Sequence, residues 1–248
     1  MKVRSLGTGG AFDKVSSSFI IESNEYKILF DAGHGIFDIL KESGEISDIT
    51  EIFISHTHFD HIGELERIIF YRFFFLNKPT KVIAGEKVID RLNDIFKNTF
   101  NTVYENGKLN PVNMCTFNVI SKETTEFLRF INENTILNVI EVNHIATPCY
   151  GLQIKEYSED SSNYNSIIIS GDTKASINIK NEMIRLVNDD TCKKVVVLHD
   201  FSNWDNPFNN IHCCQSDFDF YYKDILNISD KINFIKYHDN GDPISISI

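Results

Sequence analysis

Apolar and polar positions along the chain switch between two periods. The first forty residues hold three short β-rich runs, KVRSLGT, SSFIIES and KILFDAG, closed by Gly, Ser or Asn, and predict strand, turn, strand, turn, strand. GIFDILKESG spaces its apolar residues at helical intervals and stops on Gly, so a short helix is expected. ITEIFISH reads as a buried strand that ends on a histidine. IGELERIIFYRFFF reads as a helix running into an aromatic patch, followed by strand KVIAG and helix EKVIDRLNDIFKNTF.

Between residues 101 and 135 the pattern weakens, and MCTFNVI and EFLRFI read as short strands. Beyond them come strands ILNVIEVNH, YGLQIKE and NSIIISGDT, helix NEMIRLVND, strand KKVVVLHD, a loop through FSNWDNPFNNIHCC, helix SDFDFYYKDIL and strand INFIKYHD. Strands interleaved with helices predict an α/β chain. No internal repeat is visible.

Five of these β-runs end on His or Asp: at His56, at His144, at Asp172, at His199 with Asp200, and at His238 with Asp239. A lone buried histidine is commonly a packed core residue. Five such endings point to a shared site at strand C-termini, where α/β proteins usually carry their chemistry.

The densest cluster is SHTHFDH, which holds His56, His58, Asp60 and His61. In H-x-H-x-D-H, ligands two apart project together while Asp60 and His61 diverge from them, which suits two neighbouring metal positions. Imidazole and carboxylate ligands leave room for water, unlike a closed cysteine shell, so the chemistry reads as catalytic. Two metals roughly 3.5–4 Å apart lower the pKa of a shared water and clamp the attacking and leaving oxygens of a phosphodiester. His144, Asp172 and His238 bring the ligand number to that of such a centre.

Composition narrows the substrate. The chain has 248 residues, 42% of them hydrophobic, enough for a proper core in one domain spanning residues 1–248. A formal net charge of -11 argues against the broad basic surface that a long polyanion requires, so no long nucleic acid is expected. MKVRSLGTGG lacks a signal-type apolar core, and no run approaches the roughly 18 apolar residues of a membrane span. A cytoplasmic protein without membrane contact is the expectation, in the host cytoplasm if a phage encodes it. The five cysteines form no C-x-x-C pair and are expected to be reduced and packed.

In its motif order the chain resembles the metallo-β-lactamase fold, and within it the ribonuclease Z-like phosphodiesterase branch. The resemblance rests on LGTGGAFD, ILFDAGHG, SHTHFDHIGELE, NHIATPCYGLQI, SGDT, VVLHD, IHCC and IKYHD, between residues 5 and 239. It implies an αββα sandwich, two mixed β-sheets with helices on the outer faces. It also implies that His56, His58 and His144 bind one metal, that Asp60, His61 and His238 bind a second, and that Asp172 bridges them. The implied cofactors are two Zn2+ per chain, with Mn2+ as the alternative.

The same resemblance gives Asp60 the attacking water and makes His212 the proton donor to the leaving oxygen. Asp200 stands where that branch carries a Glu as partner of the histidine, one methylene shorter. Asp31 is implied to lie behind the ligands, tying down the DAGHG turn, and His34 and His199 read as supporting or packing residues.

Ribonuclease Z carries a Gly- and Pro-rich arm between the positions of His144 and Asp172. Here that interval is 172 − 144 = 28 residues and reads as a hairpin. With the acidic charge, this moves the substrate from tRNA toward a small phosphodiester. Arm-less members of the branch include the anti-Pycsar phosphodiesterases of phages and bacteria, homodimers that hydrolyse 3′,5′-cyclic mononucleotides used as antiviral signals. The resemblance therefore implies a metal-dependent enzyme that opens cCMP, cUMP, cAMP or cGMP to linear monophosphates, works as a homodimer and counters host immune signalling. The alternatives are a tRNA 3′-processing endonuclease or other RNA or phosphodiester hydrolase, and a non-catalytic nucleotide sponge. The aromatic run Phe70 to Phe75 suits core, dimer surface or a wall for base stacking, with Arg67 or Arg72 available to a phosphate.

Overall fold

The computed structural model describes residues 1–23, 26–100, 114–120, 128–132, 134–203, 211–238 and 243–248. The expectations for residues 101–113, for the first two residues of EFLRFI, for the middle of the FSNWDNPFNNIHCC loop and for Asp239 lie outside them. The chain divides into two compact units, an N-terminal one of Lys2–Ile120 with Pro243–Ser245 and a C-terminal one of Ser121–Asp242 with Met1 and Ile246–Ile248.

The N-terminal unit contains β1 (Lys2–Gly7), β2 (Ser18–Ser23), β3 (Tyr26–Phe30), α1 (Ile36–Glu42), β4 (Glu51–Phe53), α2 (Phe59–Ile62), α3 (Leu65–Leu76), β5 (Thr80–Gly85), α4 (Glu86–Phe100) and β6 (Cys115–Ile120). The C-terminal unit contains β7 (Leu128–Asn132), β8 (Thr135–Val142), β9 (Cys149–Tyr157), β10 (Tyr164–Ile169), α5 (Ile177–Val187), β11 (Cys192–Phe201), α6 (Gln215–Tyr221), α7 (Lys223–Ile228) and β12 (Ile232–His238). A last strand, β13 (Ser245–Ser247), completes the edge of the first sheet.

That first sheet has the order β13-β1-β2-β3-β4-β5-β6. It begins as an antiparallel meander through β3 and continues parallel from β3 to β6. The parallel strands are short and apolar, with Ile52, Phe53, Val82 and Ile83 fully buried, as expected where both faces are covered. Helix α4 buries Val88, Ile89, Leu92 and Phe96, one stripe of a 3.6-residue period.

The second sheet has the order β12-β11-β10-β9-β8-β7. Strands β10, β11 and β12 are parallel, so their C-terminal ends lie side by side; β9, β8 and β7 follow antiparallel. Helix α5 buries Ile179, Met183 and Leu186 in a cluster with Val195, Val197, Tyr222 and Ile225.

Several boundaries differ from the sequence reading, each for a local reason. The strand expected to reach His56 stays in the ladder only to Phe53, because the Ser55 backbone N–H turns to the Asp31 carboxylate instead. The helix expected from Ile62 begins at Leu65, since the Glu64 N–H leaves helical pairing and donates to the Ala32 carbonyl at 2.8 Å. It ends on Asn77 in the left-handed conformation (φ 53°), a residue type that tolerates it. Helix α5 starts four residues early, at Ile177, on a Ser176 cap whose side chain accepts the Ile179 N–H. The expected helix from Ser216 to Leu226 is broken at buried Tyr222 into α6 and α7.

The aromatic run lies on α3. Its inner face carries Ile68, Ile69 and Arg72, whereas Phe74 and Phe75 are 54% and 77% exposed. Arg72 is not available to a phosphate: its guanidinium is buried and donates to the Ile46 carbonyl, Thr80 Oγ1 and the Pro79 carbonyl. Arg67 is exposed, pairs with Asp38 and Glu64 and lies 3.9 Å over the Phe37 ring. All five cysteines are unbridged and buried. Among the described residues, no helix is long and apolar enough to cross a membrane.

Candidate metal centre

In the N-terminal unit the chain leaves β4 and passes through Ser55, His56 and His58 into the single turn of α2, which carries Asp60 and His61. His56 and His61 are almost wholly buried, and Asp60 is 9% exposed. The His56 ring centroid lies 4.7 Å from that of His58 and 4.0 Å from that of His61, so the three imidazoles form one knot. Nε2 of His56 and Nδ1 of His58 are 3.1 Å apart. Two nitrogens held at 2.0–2.1 Å by one tetrahedral ion lie roughly 3.3 Å apart, so this pair fits a metal ion.

Behind the knot sits Asp31, fully buried in the turn after β3. Its Oδ2 accepts from His61 Nδ1 at 2.7 Å and from the Ser55 hydroxyl at 2.6 Å, and its Oδ1 accepts the Ser55 N–H at 2.7 Å. Burial pushes the Asp31 carboxyl pKa up, and the charge and hydrogen bond of His61 pull against that rise. A ligand histidine with its second nitrogen on a buried carboxylate is fixed in ring orientation and tautomer.

The turn itself is tight. Asp31 has φ 60°, a left-handed conformation that Asp tolerates better than most side chains. A Cβ on Gly33 would fall 1.7 Å from the Asp60 carbonyl oxygen, so only glycine lets α2 pass this close. The Ala32 N–H donates to the His61 carbonyl at 2.7 Å, joining the DAG turn to α2. His34 lies in the same turn, its backbone N–H held by Ser16 Oγ at 3.0 Å.

The C-terminal unit gathers a second set. Asp172 follows β10, Asp200 lies inside β11, His238 ends β12, and His212 precedes α6. One ligand atom from each of these residues lies within 4.8 Å of the others, so they too can hold a cation. The His212 and His238 rings stack at 4.3 Å, and His144 lies 6.3 Å from His212 between centroids. His238 has φ 103°, backbone strain of the kind that collects at functional positions.

Asp200 is fully buried, and the shorter side chain does reach its partner: His212 Nδ1 is 2.7 Å from Asp200 Oδ2. The Thr173 N–H donates to that oxygen at 2.8 Å, and the Asp200 N–H donates to Ser170 Oγ at 2.9 Å. Asp200 Oδ1 is buried with no hydrogen-bond partner among the described residues and lies 3.9 Å from His238 Nδ1. Burial disfavours the charged His212 ring, but the hydrogen bond to Asp200 and the charges of Asp200 and Asp172 outweigh it, so its pKa is raised. A charged imidazole on a fixed carboxylate can deliver a proton.

His199 packs below this set. Its Nδ1 faces the Asp200 carbonyl at 2.7 Å, its Nε2 faces the Tyr222 hydroxyl at 2.9 Å, and Phe234 stacks on the ring at 5.6 Å. It is a packing residue, as expected, and burial lowers its pKa. Ser55, Ser170, Thr173 and Tyr222 were not foreseen. Ser55 and Thr173 had a weak signal in their position beside a residue of metal-binding type, within SHTH and SGDT; Tyr222 had none.

Two mixed sheets flanked by helices match solved metallo-β-lactamase-fold structures. YhfI from Bacillus subtilis, a metallo-beta-lactamase fold protein, superposes with a TM-score of 0.64 at 12% identity over 99% of both chains. Human tRNase Z, short form, does so with 0.67 at 18% identity over 100% of both. The chain therefore has the metallo-β-lactamase fold. The family described as Anti-Pycsar protein Apyc1 matches residues 1–247, and the chain belongs to that family. The Anti-Pycsar protein Apyc1 of Bacillus phage vB_BveM-Goe7 is 39% identical over 96 residues, 37% of this chain and only 37% of that relative's length.

Proposed function

We propose that the chain is a metal-dependent phosphodiesterase that hydrolyses 3′,5′-cyclic mononucleotides to linear monophosphates. The observation that carries this reading is the Asp200–His212 pair, a proton donor held at 2.7 Å beside the ligand-type residues Asp172 and His238. Family membership over residues 1–247 supports the substrate class. We further propose that residues 1–248 work as one domain in which His56, His58 and His144 hold one ion and Asp60, His61 and His238 another, with Asp172 shared. Two Zn2+ suit these imidazole and carboxylate donors, and Mn2+ is the alternative. When bound, the ions supply neutralisation of the phosphate charge and a lowered pKa for the attacking water.

The residues then divide the proton work. Asp60 orients the water and takes its proton as the oxygen bonds to phosphorus. The bond from phosphorus to the 3′-oxygen breaks, and His212 gives its Nδ1-anchored ring's other proton to that leaving oxygen. Asp200 keeps the imidazole charged until that transfer and aimed throughout.

The hairpin of β9 and β10 supports a small substrate. The strands pair directly from Tyr164 with Tyr157 to Ile169 with Leu152, and the connection is only Ser158–Asn163, which is no room for a tRNA-gripping arm. Action in the cytoplasm as a homodimer, against host cyclic-nucleotide signalling, completes the proposal. Phosphorus NMR of the zinc-loaded chain with each cyclic nucleotide tests it. A diester signal converted to a monoester supports the reading, and unchanged diester with every base contradicts it.

A further inference from the structure

We infer that Ser55 is a positioning residue whose hydroxyl decides which nitrogen His56 offers to a metal, and that it ties one ligand of each proposed ion to a single carboxylate, Asp31. The inference rests on the ligand roles proposed above for His56 and His61.

Proton counting carries it. A hydroxyl has one proton to donate and lone pairs to accept with. The Ser55 hydroxyl spends its proton on Asp31 Oδ2 at 2.6 Å, so toward His56 Nδ1, 3.0 Å away, it can only accept. Nδ1 of His56 therefore carries the ring proton, and Nε2 keeps the lone pair. That is the nitrogen facing His58 Nδ1 at 3.1 Å, where an ion would sit. His61 obeys the same carboxylate directly, its Nδ1 on Asp31 Oδ2 at 2.7 Å, which leaves its Nε2 for coordination.

Ser55 is suited to this relay by its own rigidity. Its side chain is fully buried, so water does not compete for the hydroxyl, and its backbone N–H grips Asp31 Oδ1 at 2.7 Å. The residue thus holds both oxygens of the carboxylate at once. His56 and His61 belong to different proposed ions, so Asp31 sets the tautomer of a ligand on each: His61 by direct contact, His56 through one hydroxyl. Alanine would delete the acceptor of the His56 proton, whereas threonine keeps it.

Long-range proton–nitrogen NMR on the metal-free full chain tests the inference, with zinc affinity from chelator competition as the second readout. The expected result is an Nδ1-protonated His56 in the wild-type chain. In Ser55→Ala the single tautomer is lost and zinc affinity falls about 10- to 100-fold, the usual effect of removing a partner behind a ligand histidine. Ser55→Thr restores both. An Nε2-protonated His56 in the wild-type chain overturns the inference without any variant having to fold. So does Ser55→Ala with unchanged tautomer and affinity. Neither readout uses a substrate, so a chain that binds zinc in this way yet opens no cyclic nucleotide overturns the functional proposal and leaves this one standing.

Discussion

Oδ2 of Asp200 receives both the His212 ring at 2.7 Å and the Thr173 backbone N–H at 2.8 Å, from inside a fully buried strand position. A one-methylene-shorter acid reaches the histidine because β11 itself carries it, with the Ser170 hydroxyl receiving its N–H at 2.9 Å. Asp200→Asn keeps the shape but removes the charge that holds the His212 proton. Its kcat for a cyclic nucleotide is expected to fall about 100- to 10,000-fold with KM little changed, the range for losing general acid catalysis. Steady-state kinetics check this, and a wild-type kcat would remove the pair from the mechanism.

Asp60 separates a catalyst from a sponge. It is nearly buried at the N-terminal turn of α2, next to His61. Asp60→Ala is expected to abolish measurable turnover while the chain still folds, as read by circular dichroism and thermal melting. Turnover at the wild-type rate would contradict the role given to this carboxylate.

Asp31→Asn offers a test of the carboxylate behind the ligands. Asn tolerates the φ of 60° at this position, so the turn should survive, while the negative charge and one of the two acceptor oxygens are lost. Metal affinity is expected to drop about 10- to 100-fold. Isothermal titration of the metal-free chain with zinc measures it, and equal affinities would show that Asp31 serves the turn alone.

His199 gives the fold a pH dependence. Burial holds its pKa below the ordinary value of 6.5, with the Asp200 charge acting in the opposite direction and the Tyr222 hydroxyl as its other polar neighbour. The unfolded chain therefore binds this proton more readily than the folded one. The stability contributed by the neutral ring is complete above the unfolded pKa and is lost as pH falls from there through the folded pKa, by at most about 1.4 kcal/mol per pH unit. Urea unfolding of the metal-free chain at about pH 7.5 and about pH 5.5 should show a steeper loss for wild type than for His199→Gln. Equal losses would contradict the assignment.

Much of this arrangement is readable in the one-dimensional pattern, for a physical reason. Buried β-runs write apolar stretches, and residues of metal-binding type stand at or just after their ends, so His56, His144, Asp172 and His238 stand out by position. Contacts made by backbone groups leave no such mark. Glu64 delays the start of α3 by donating to Ala32, and Ser55 leaves the β4 ladder for Asp31; both partners are distant in sequence. The break at Tyr222 is hidden because its helix reads as one amphipathic stretch, while its hydroxyl is committed to the Ser176 N–H at 2.7 Å and to His199. The exposed Phe74 and Phe75 are equally opaque in sequence, since an aromatic run looks the same whether it faces core or solvent.

The most direct test of the account is metal-dependent turnover. The chain is stripped with a chelator, reloaded with zinc or manganese, and incubated side by side with the 3′,5′-cyclic mononucleotides and with a tRNA precursor. The stripped chain is expected to show no turnover, and the reloaded chain to open at least one cyclic nucleotide rapidly to its linear monophosphate while leaving the tRNA precursor intact. Cleavage of the precursor with every cyclic nucleotide untouched would contradict that expectation.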